Sequence, residues 1–187
     1  MSEYFAEFPE RRARRSWDRG QVREIRVIGD PVLRSECDPV RAFDDGLRRL
    51  VDDMFATMYA ADGAGLAANQ IGVGRCAFVY DCGDDHGVWH RGVVVNPVVV
   101  EATGEPLDEG EGCLSLPGFS TTLPRASRVM VQGQDVDGTP VEITGTGYFA
   151  RCLLHEADHL RGRLFTDLVT GDSRKAALRA IRGLAAH

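Results

Sequence analysis

Three segments of the chain are predicted to be helices. Between Asp44 and Ala61 the apolar side chains recur every three or four positions with charged residues between them, which indicates an amphipathic helix. A second helix is predicted from Gly147 to Arg161 and ends near Gly162. A third begins at Asp172 or Ser173, either of which can cap it, and runs to about Arg182.

The region between the first two helices has the pattern of β-strands. Asp137-Gly138 separates two strand-like runs and is a typical hairpin turn, and Pro97 marks a bulge or a sheet edge. Hairpins and short connections favour antiparallel or mixed sheets over a parallel doubly wound sheet. The order of elements therefore predicts an α+β fold. The predicted strands are Val73–Tyr80, Gly92–Val100, Arg128–Val136 and Val141–Thr144.

The composition is that of an ordinary globular chain. It has 187 residues, of which 43% are hydrophobic and 27% are charged, and this argues against a disordered chain, a collagen or a coiled coil. The best apolar run, Val93–Val100, is much shorter than the roughly 18 residues that span a bilayer. A net charge of −6 argues against a protein that binds nucleic acid over its whole surface.

The sequence indicates one domain behind a short extension. No repeat or low-complexity linker divides the chain, so we expect a single domain over residues 23–187. Residues 1–22 are predicted to be an extension, because they lack the apolar run of a secretory signal and contain more acids than a transit peptide. The five cysteines form no CxxC pair, which predicts free thiols and a cytoplasmic location.

His155, Glu156 and His159 form an HExxH motif inside the second predicted helix. Histidines four positions apart project from one helical face, so both imidazoles can reach one metal ion. Glu156 lies beside that face, where its carboxylate can take the proton of a water that the ion activates. The alternative is that the two histidines are unrelated. We favour the motif, and we expect the sheets to pack around this central helix, with an amphipathic helix on its N-terminal side and another at the C-terminus.

A catalytic metal site of this kind needs a third protein ligand. One class of HExxH peptidase has a third histidine six residues after the second, but that position is Phe165 here. Other HExxH peptidases use a downstream glutamate as the third ligand, but no glutamate follows Glu156 in this chain. Cys113 is the best upstream donor, in a stretch whose glycines and proline predict irregular, tightly turned backbone. Its thiolate suits Fe(II), zinc or nickel, whereas the alternative is a buried structural cysteine.

The segment from Gly63 to Gln70 is rich in small residues. Such residues let a ligand or another strand approach the backbone closely. The side-chain amide of Gln70 can donate to a developing oxyanion. The alternative is a tight turn between a helix and a strand, with Gln70 exposed to solvent.

Taken in order, these three segments resemble the peptide deformylase family. The chain has GAGLAANQ at residues 63–70, EGCLS at residues 111–115, and HEADH at residues 155–159, with aspartate before the last histidine as in the family. The resemblance covers roughly residues 24–182 and implies a role for each matched position. It implies metal ligands at Cys113, His155 and His159, a general acid/base at Glu156, oxyanion donors at Gln70 and the Leu114 N–H, and a substrate-binding wall at Gly63, Ala64 and Gly65.

The resemblance also implies an activity and its partners. The chain is expected to be a metal-dependent hydrolase that removes the N-formyl group from the formyl-methionine of newly made proteins and releases formate. The expected ion is one Fe(II) per chain, with zinc or nickel as substitutes. The expected partners are the formylated nascent polypeptide and, through the basic last helix, the ribosome, with no membrane and no specific DNA. The alternative for that helix is a solvated amphipathic helix; its basic residues are Arg174, Lys175, Arg179 and Arg182.

Two other functions stay open from the sequence. One is an HExxH metallopeptidase that cleaves internal peptide bonds, and the other is a non-catalytic homologue that binds ribosomes or nascent chains.

Ala64 and Leu154 depart from the residues common in the family, which affects the expected pocket shape and turnover. Arg151 either borders the substrate cleft or forms a salt bridge at its rim, and Cys152 is expected to be a packing residue.

Overall fold

The computed structural model describes residues 20–184. Most of the predicted N-terminal extension, residues 1–19, lies outside the described residues, as do residues 185–187. Helices α1, α2 and α3 span Asp45–Ala60, Gly147–Leu160 and Gly171–Leu184. Strands β1 to β7 span Gly65–Ala67, Ala77–Gly83, Trp89–Thr103, Leu107–Cys113, Leu116–Arg125, Arg128–Gln134 and Pro140–Thr146.

Helix α1 follows the predicted amphipathic pattern closely. The Asp44 side chain accepts hydrogen bonds from the N–H groups of Gly46 and Leu47 and so caps the first turn. Asp62, just past the helix, has φ 54, a left-handed conformation that ends it before the Gly63 segment. The buried face packs into a core cluster with strands β1 to β3, and its largest members are Leu47, Val51, Met54, Phe55 and Met58.

The strands form two antiparallel sheets, which confirms the α+β class. The larger sheet has the order β1-β2-β3-β6-β7, and β4 and β5 form a separate two-stranded sheet. The predicted hairpin joins β6 to β7, with Gly138 at φ 85. The register of β3 against β6 shifts between Val95 and Val98, around Asn96 and Pro97, so the predicted bulge is present.

Helix α2 packs against strands of the larger sheet. Phe149 and Leu153 are fully buried in a cluster with Phe78 and Val131. A second contact surface joins the two-stranded sheet to α3, where Leu116, Leu123, Phe165 and Ala177 are buried together. Helix α2 also contacts the two-stranded sheet, because Arg151 donates to the carbonyls of Leu107 and Leu123. Among the described residues no helix is long and apolar enough to cross a membrane.

Strands β2, β4 and β5 differ most from the sequence-based prediction, and β1 was not predicted as a strand. The run predicted as Val73–Tyr80 becomes a strand only from Ala77 to Gly83. The stretch around Cys113, predicted to be irregular, is mostly regular: β4 and β5 occupy it, and only Leu114 and Ser115 form a turn. Glycines and prolines interrupt the alternation in these strands, and a register shift after Gly112 absorbs the turn.

Candidate metal centre

Helix α2 brings both histidines of the motif to one point. His155 and His159 are one turn apart, and their Nε2 atoms are 3.2 Å from each other. Both side chains are buried, with 8% of His155 and 1% of His159 exposed. Glu156 follows His155 on the helix and is buried as well. The four-residue spacing of the two histidines therefore brings both imidazoles to one point, as the sequence predicts.

Cys113 completes a cluster of three metal-binding side chains. Its Sγ atom is 3.2 Å from Nε2 of His159, and the ligand atoms of Cys113, His155 and His159 all lie within 4.8 Å of one another. A tetrahedral ion about 2.3 Å from sulfur and about 2.05 Å from nitrogen separates such ligands by roughly 3.3–3.6 Å. The observed spacing and the S/N/N donor set therefore fit a single divalent transition-metal ion.

The electrostatics of Cys113 also favour a ligand over an inert thiol. Burial by itself would raise the pKa of this thiol, but the adjacent imidazoles of His159 and His155 lower it well below its usual value. A thiolate is the form that binds metals. Cys113 also packs against the apolar cluster around Leu116 and Phe165, so its surroundings combine apolar packing on one side with two imidazoles on the other.

Glu111 holds His155 in orientation. Its Oε1 atom is 2.7 Å from Nδ1 of His155, which leaves Nε2 directed at the cluster. Arg125 donates to both Glu111 oxygens, at 2.7 and 3.0 Å. Burial would raise the pKa of Glu111, but the hydrogen bonds to His155 and Arg125 lower it well below its usual value. The sequence motifs assign no role to Glu111 or Arg125, although the position of Glu111 two residues before Cys113 is a signal for the first.

One carboxylate oxygen of Glu156, Oε2, is buried and has no hydrogen-bond partner among the described residues. Burial raises the pKa of its carboxyl to about 7. Gly65 lies against it, because a Cβ atom at residue 65 would be 2.6 Å from Oε1 of Glu156. A carboxylate in this position can exchange a proton near neutral pH.

Gln70 is buried beside Cys113, so the alternative of an exposed side chain is wrong. Only 1% of the residue is exposed. Its Oε1 accepts a hydrogen bond from the Ala67 N–H at 2.9 Å, and this orients the amide. Its Nε2 donates to Ser115 Oγ at 3.2 Å and lies 3.5 Å from Cys113 Sγ. The structure thus presents an amide N–H to the metal cluster.

The remaining predicted residues surround these groups. Leu114 is in the turn between β4 and β5, and its Cδ1 would be 2.8 Å from a Cβ atom at Gly63. The carbonyl of Ala64 accepts a hydrogen bond from the Asp81 N–H at 2.8 Å, which fixes the segment that leads into β1. Gly63, Ala64 and Gly65 therefore lie on the Glu156 and Leu114 side of the cluster.

Two residues near the motif have clear positions. Arg151 is 3% exposed, so it does not border an open cleft. Its guanidinium forms an ion pair with the buried Glu111 at 2.9 Å and lies 3.8 Å from the half-exposed Glu109, so the salt bridge expected from the sequence is present, although Arg151 itself is buried. Cys152 is buried in the core beside Ala64 and Gly65, as expected of a packing residue.

Comparison with known proteins gives consistent matches. The profile of the family described as polypeptide deformylase matches residues 22–175. Peptide deformylase 2 of Streptomyces avermitilis is 53% identical over 161 residues, covering 86% of this chain and 87% of the relative. The peptide deformylase of Mycolicibacterium paratuberculosis is 50% identical over 170 residues, covering 84% and 86%.

Solved structures agree with these sequence matches. The crystal structure of a peptide deformylase from Legionella pneumophila superposes with a TM-score of 0.79 at 42% identity, covering 88% of this chain and 96% of that one. The Ehrlichia chaffeensis peptide deformylase in complex with actinonin gives a TM-score of 0.80 at 34% identity, with the same coverage of 88% and 96%.

Proposed function

Because this chain belongs to the polypeptide deformylase family, we propose that Cys113, His155 and His159 hold the metal of a deformylase and that Glu156 moves the proton. The activity is that of the family, a metal-dependent hydrolysis that removes the formyl group from formylated nascent polypeptides. The convergence of one sulfur and two imidazole nitrogens beside a buried carboxyl is the observation that carries the residue assignments.

The three ligands suit a divalent transition metal, and we propose Fe(II) as the native ion. A thiolate adds negative charge and soft character to the two imidazoles, which suits Fe(II), zinc and nickel. When bound, such an ion acts as a Lewis acid on a carbonyl oxygen and makes an attacking water more acidic. The hydrogen bond that Nδ1–H of His155 donates to Glu111 supports this role, because it places the ring proton on Nδ1 and leaves Nε2 free to bind the metal.

Glu156 is proposed to act as general base and then as general acid. Its carboxylate accepts the proton of the attacking water as the new bond to the formyl carbon forms. It then delivers that proton to the amine nitrogen as the carbon–nitrogen bond breaks, which releases formate and a free α-amino terminus. The buried, unpaired Oε2 and the pKa of about 7 support this proton exchange.

Gln70 and the backbone N–H of Leu114 are proposed to stabilise the oxyanion. The amide of Gln70 is oriented by the bond that its Oε1 accepts from Ala67, so its N–H groups are fixed before substrate arrives. Gly63, Ala64 and Gly65 are proposed to bind the substrate backbone. Their small side chains leave room beside Glu156 for a peptide to approach.

The helix that carries the HExxH motif is proposed to be the centre of this architecture. Helix α2 packs against the five-stranded sheet through Phe149 and Leu153, and its polar face bonds to the two-stranded sheet through Glu111 and Arg125. The helix can therefore present both histidines to the β4–β5 turn. A peptidase is disfavoured, because the nearby third donor is a cysteine and because of the family match.

Helix α3 is proposed to contact the ribosome, where the substrate emerges in the cytoplasm. Its apolar side packs on β5 through Ala177, while Arg174, Lys175, Arg179 and Arg182 are not buried. Four basic residues support weak, salt-sensitive binding to RNA. Co-sedimentation with ribosomes tests this proposal, and loss of binding on deleting residues 173–187 is the expected result.

The proposed function is tested with formyl-Met-Ala-Ser under anaerobic iron loading. Iron-loaded protein is expected to release formate, and Glu156→Gln is expected to keep its metal while losing nearly all turnover. A metal-loaded protein that releases no formate would contradict the activity. A Glu156→Gln protein that binds no metal would make Glu156 structural instead.

A further inference from the structure

We propose that Arg151 is a positioning residue for the metal site, fixing the strands that carry Cys113 against the helix that carries His155 and His159. The inference rests on the proposed function, because it takes these three side chains as the ligands. Arg151 does not touch the cluster, so its effect must pass through the residues that it holds.

Arg151 reaches from helix α2 to both strands of the two-stranded sheet. Its Nη2 atom donates to the Leu107 carbonyl of β4 at 2.7 Å. Its Nη1 atom donates to the Leu123 carbonyl of β5 at 2.8 Å and to Glu111 Oε2 at 2.9 Å. Two of these three hydrogen bonds are with main-chain atoms, so they fix the position of the strands themselves rather than a rotamer.

The strands that Arg151 holds depend on contacts with other parts of the fold, among them the apolar cluster shared with α3 and the ion pair between Arg125 and Asp158. A two-stranded sheet on its own is marginally stable in water and needs packing from outside. Cys113 is the last residue of β4, and the turn that follows leads directly into β5. Metal–ligand distances tolerate only about 0.2 Å of error, so a small shift of β4 relative to the helix would move Sγ out of bonding position.

Arg151 also acts on the histidine side of the site. It lies one helical turn before His155 on the same face of α2. Arg151 donates to one oxygen of Glu111, Oε2. The other oxygen, Oε1, accepts the hydrogen bond from Nδ1 of His155. One guanidinium thus links the strand backbones to the imidazole. Arg125 spans the same gap from the other side, from β5 to Asp158 of α2.

The chemistry of this position requires arginine. A buried cation is tolerated only when polar groups surround it, and Arg151 is 3% exposed with a carboxylate and two carbonyls around it. A planar guanidinium presents several N–H groups in a fixed fork, whereas a lysine ammonium is a single point on a flexible stem. Lysine therefore keeps the charge but loses the link between the two strands.

The test compares Arg151→Met, Arg151→Lys and the control Met54→Ala, which opens the core cluster of α1, to which none of the hydrogen-bond partners of Arg151 belongs. Each protein is titrated with Co(II) against a competing chelator, and the thiolate-to-cobalt absorption band is recorded. We expect Arg151→Met to bind Co(II) about 10–100-fold more weakly with a reduced band, as for other residues that orient metal ligands. Arg151→Lys should fall between it and the wild type, and Met54→Ala should bind normally despite a lower Tm.

Unchanged affinity and spectrum in Arg151→Met would overturn the inference. An equal loss in Met54→Ala would overturn it too, because general destabilisation would then explain the effect. If Arg151→Met does not fold, Arg151→Lys decides the question, and normal Co(II) binding in that variant counts against the proposal. A wild-type protein that binds no Co(II) would instead contradict the proposed function, and the inference with it.

Discussion

Gly65 and Glu156 are in direct contact: a Cβ atom on residue 65 would lie 2.6 Å from the Oε1 atom of Glu156. The backbone at Gly65 cannot retreat, because it is paired with Tyr80 in the ladder between β1 and β2. Cys152 closes the other side, since its Sγ would be 2.8 Å from the same Cβ. Only glycine at position 65 leaves the carboxylate of Glu156 where it is.

Gly65→Ala is therefore expected to displace Glu156 and to lower kcat. A general acid/base typically contributes about 10²–10⁴-fold, so a loss of about 10²-fold or more is predicted, with the metal content unchanged. Steady-state kinetics and elemental analysis of the purified variant test this. Gly74→Ala is the matched control, because nothing lies within 4 Å of its added Cβ. Normal kcat in Gly65→Ala would contradict the role given to this contact.

Gln70→Ala tests the oxyanion donor. Removing one such donor typically costs about 10²–10³-fold in kcat, and Cys113 and the two histidines remain in place to hold the ion. The variant should therefore keep its metal and lose most of its turnover. Gln132→Ala, which removes an exposed amide paired with Glu142, should behave as the wild type. Near-normal turnover in Gln70→Ala would remove Gln70 from the mechanism.

Glu111 should make stability depend on pH in the acid range. Its pKa in the folded protein lies well below its usual value of 4.5, so its contribution to stability is fully present above about pH 4.5 and is lost as pH falls towards the folded pKa. Metal-free Glu111→Gln is expected to be about 3–5 kcal/mol less stable than the wild type near pH 7, because buried arginines lose their partner. That gap should shrink below about pH 4.5.

Urea denaturation of both metal-free proteins across this pH range measures the effect. Glu142→Gln, which changes an exposed glutamate on β7, is the matched control and should leave the pH dependence of stability unchanged. A gap between wild type and Glu111→Gln that grows as the pH falls would contradict the assignment of a lowered pKa to Glu111.

The proposed native iron predicts sensitivity to air. Activity of the Fe(II)-loaded protein should decay in air as the ion or the Cys113 thiolate is oxidised. Zinc and nickel do not undergo this change at the metal, so those forms should lose activity more slowly. Timed assays of the three forms under air and under nitrogen compare them directly. Equal decay of all three forms in air would argue against iron chemistry as the cause.

The parts of the fold that follow from local pattern were predictable. Helix α1 was predicted within one residue at each end, because its apolar spacing and the Asp44 cap are local signals. The hairpin at Gly138 was predicted for the same reason. Strands β4 and β5 were not, since glycines and prolines interrupt their alternation and their stability comes from packing against helix α2 and helix α3.

In the candidate site, too, the residues within local motifs were predictable and those brought together only by the fold were not. The three motifs contain the clustered residues, because HExxH spacing and a cysteine beside small residues carry chemical information without a structure. Glu111, Arg125 and Arg151 were missed or misplaced. Arg125 and Arg151 are 14 and 40 positions from Glu111, and no local pattern indicates that such distant charges meet in the interior. Gln70 was assigned a chemical role, but its burial depends on Ala67 and Ser115.

The central claim is that one sulfur and two imidazole nitrogens bind the same ion. X-ray absorption spectroscopy of the metal-loaded protein tests it most directly. The account predicts one sulfur at about 2.3 Å and two histidine nitrogens at about 2.0–2.1 Å from the metal, with the sulfur signal absent from Cys113→Ser. A fully loaded wild-type protein whose spectrum contains no sulfur neighbour would contradict the account.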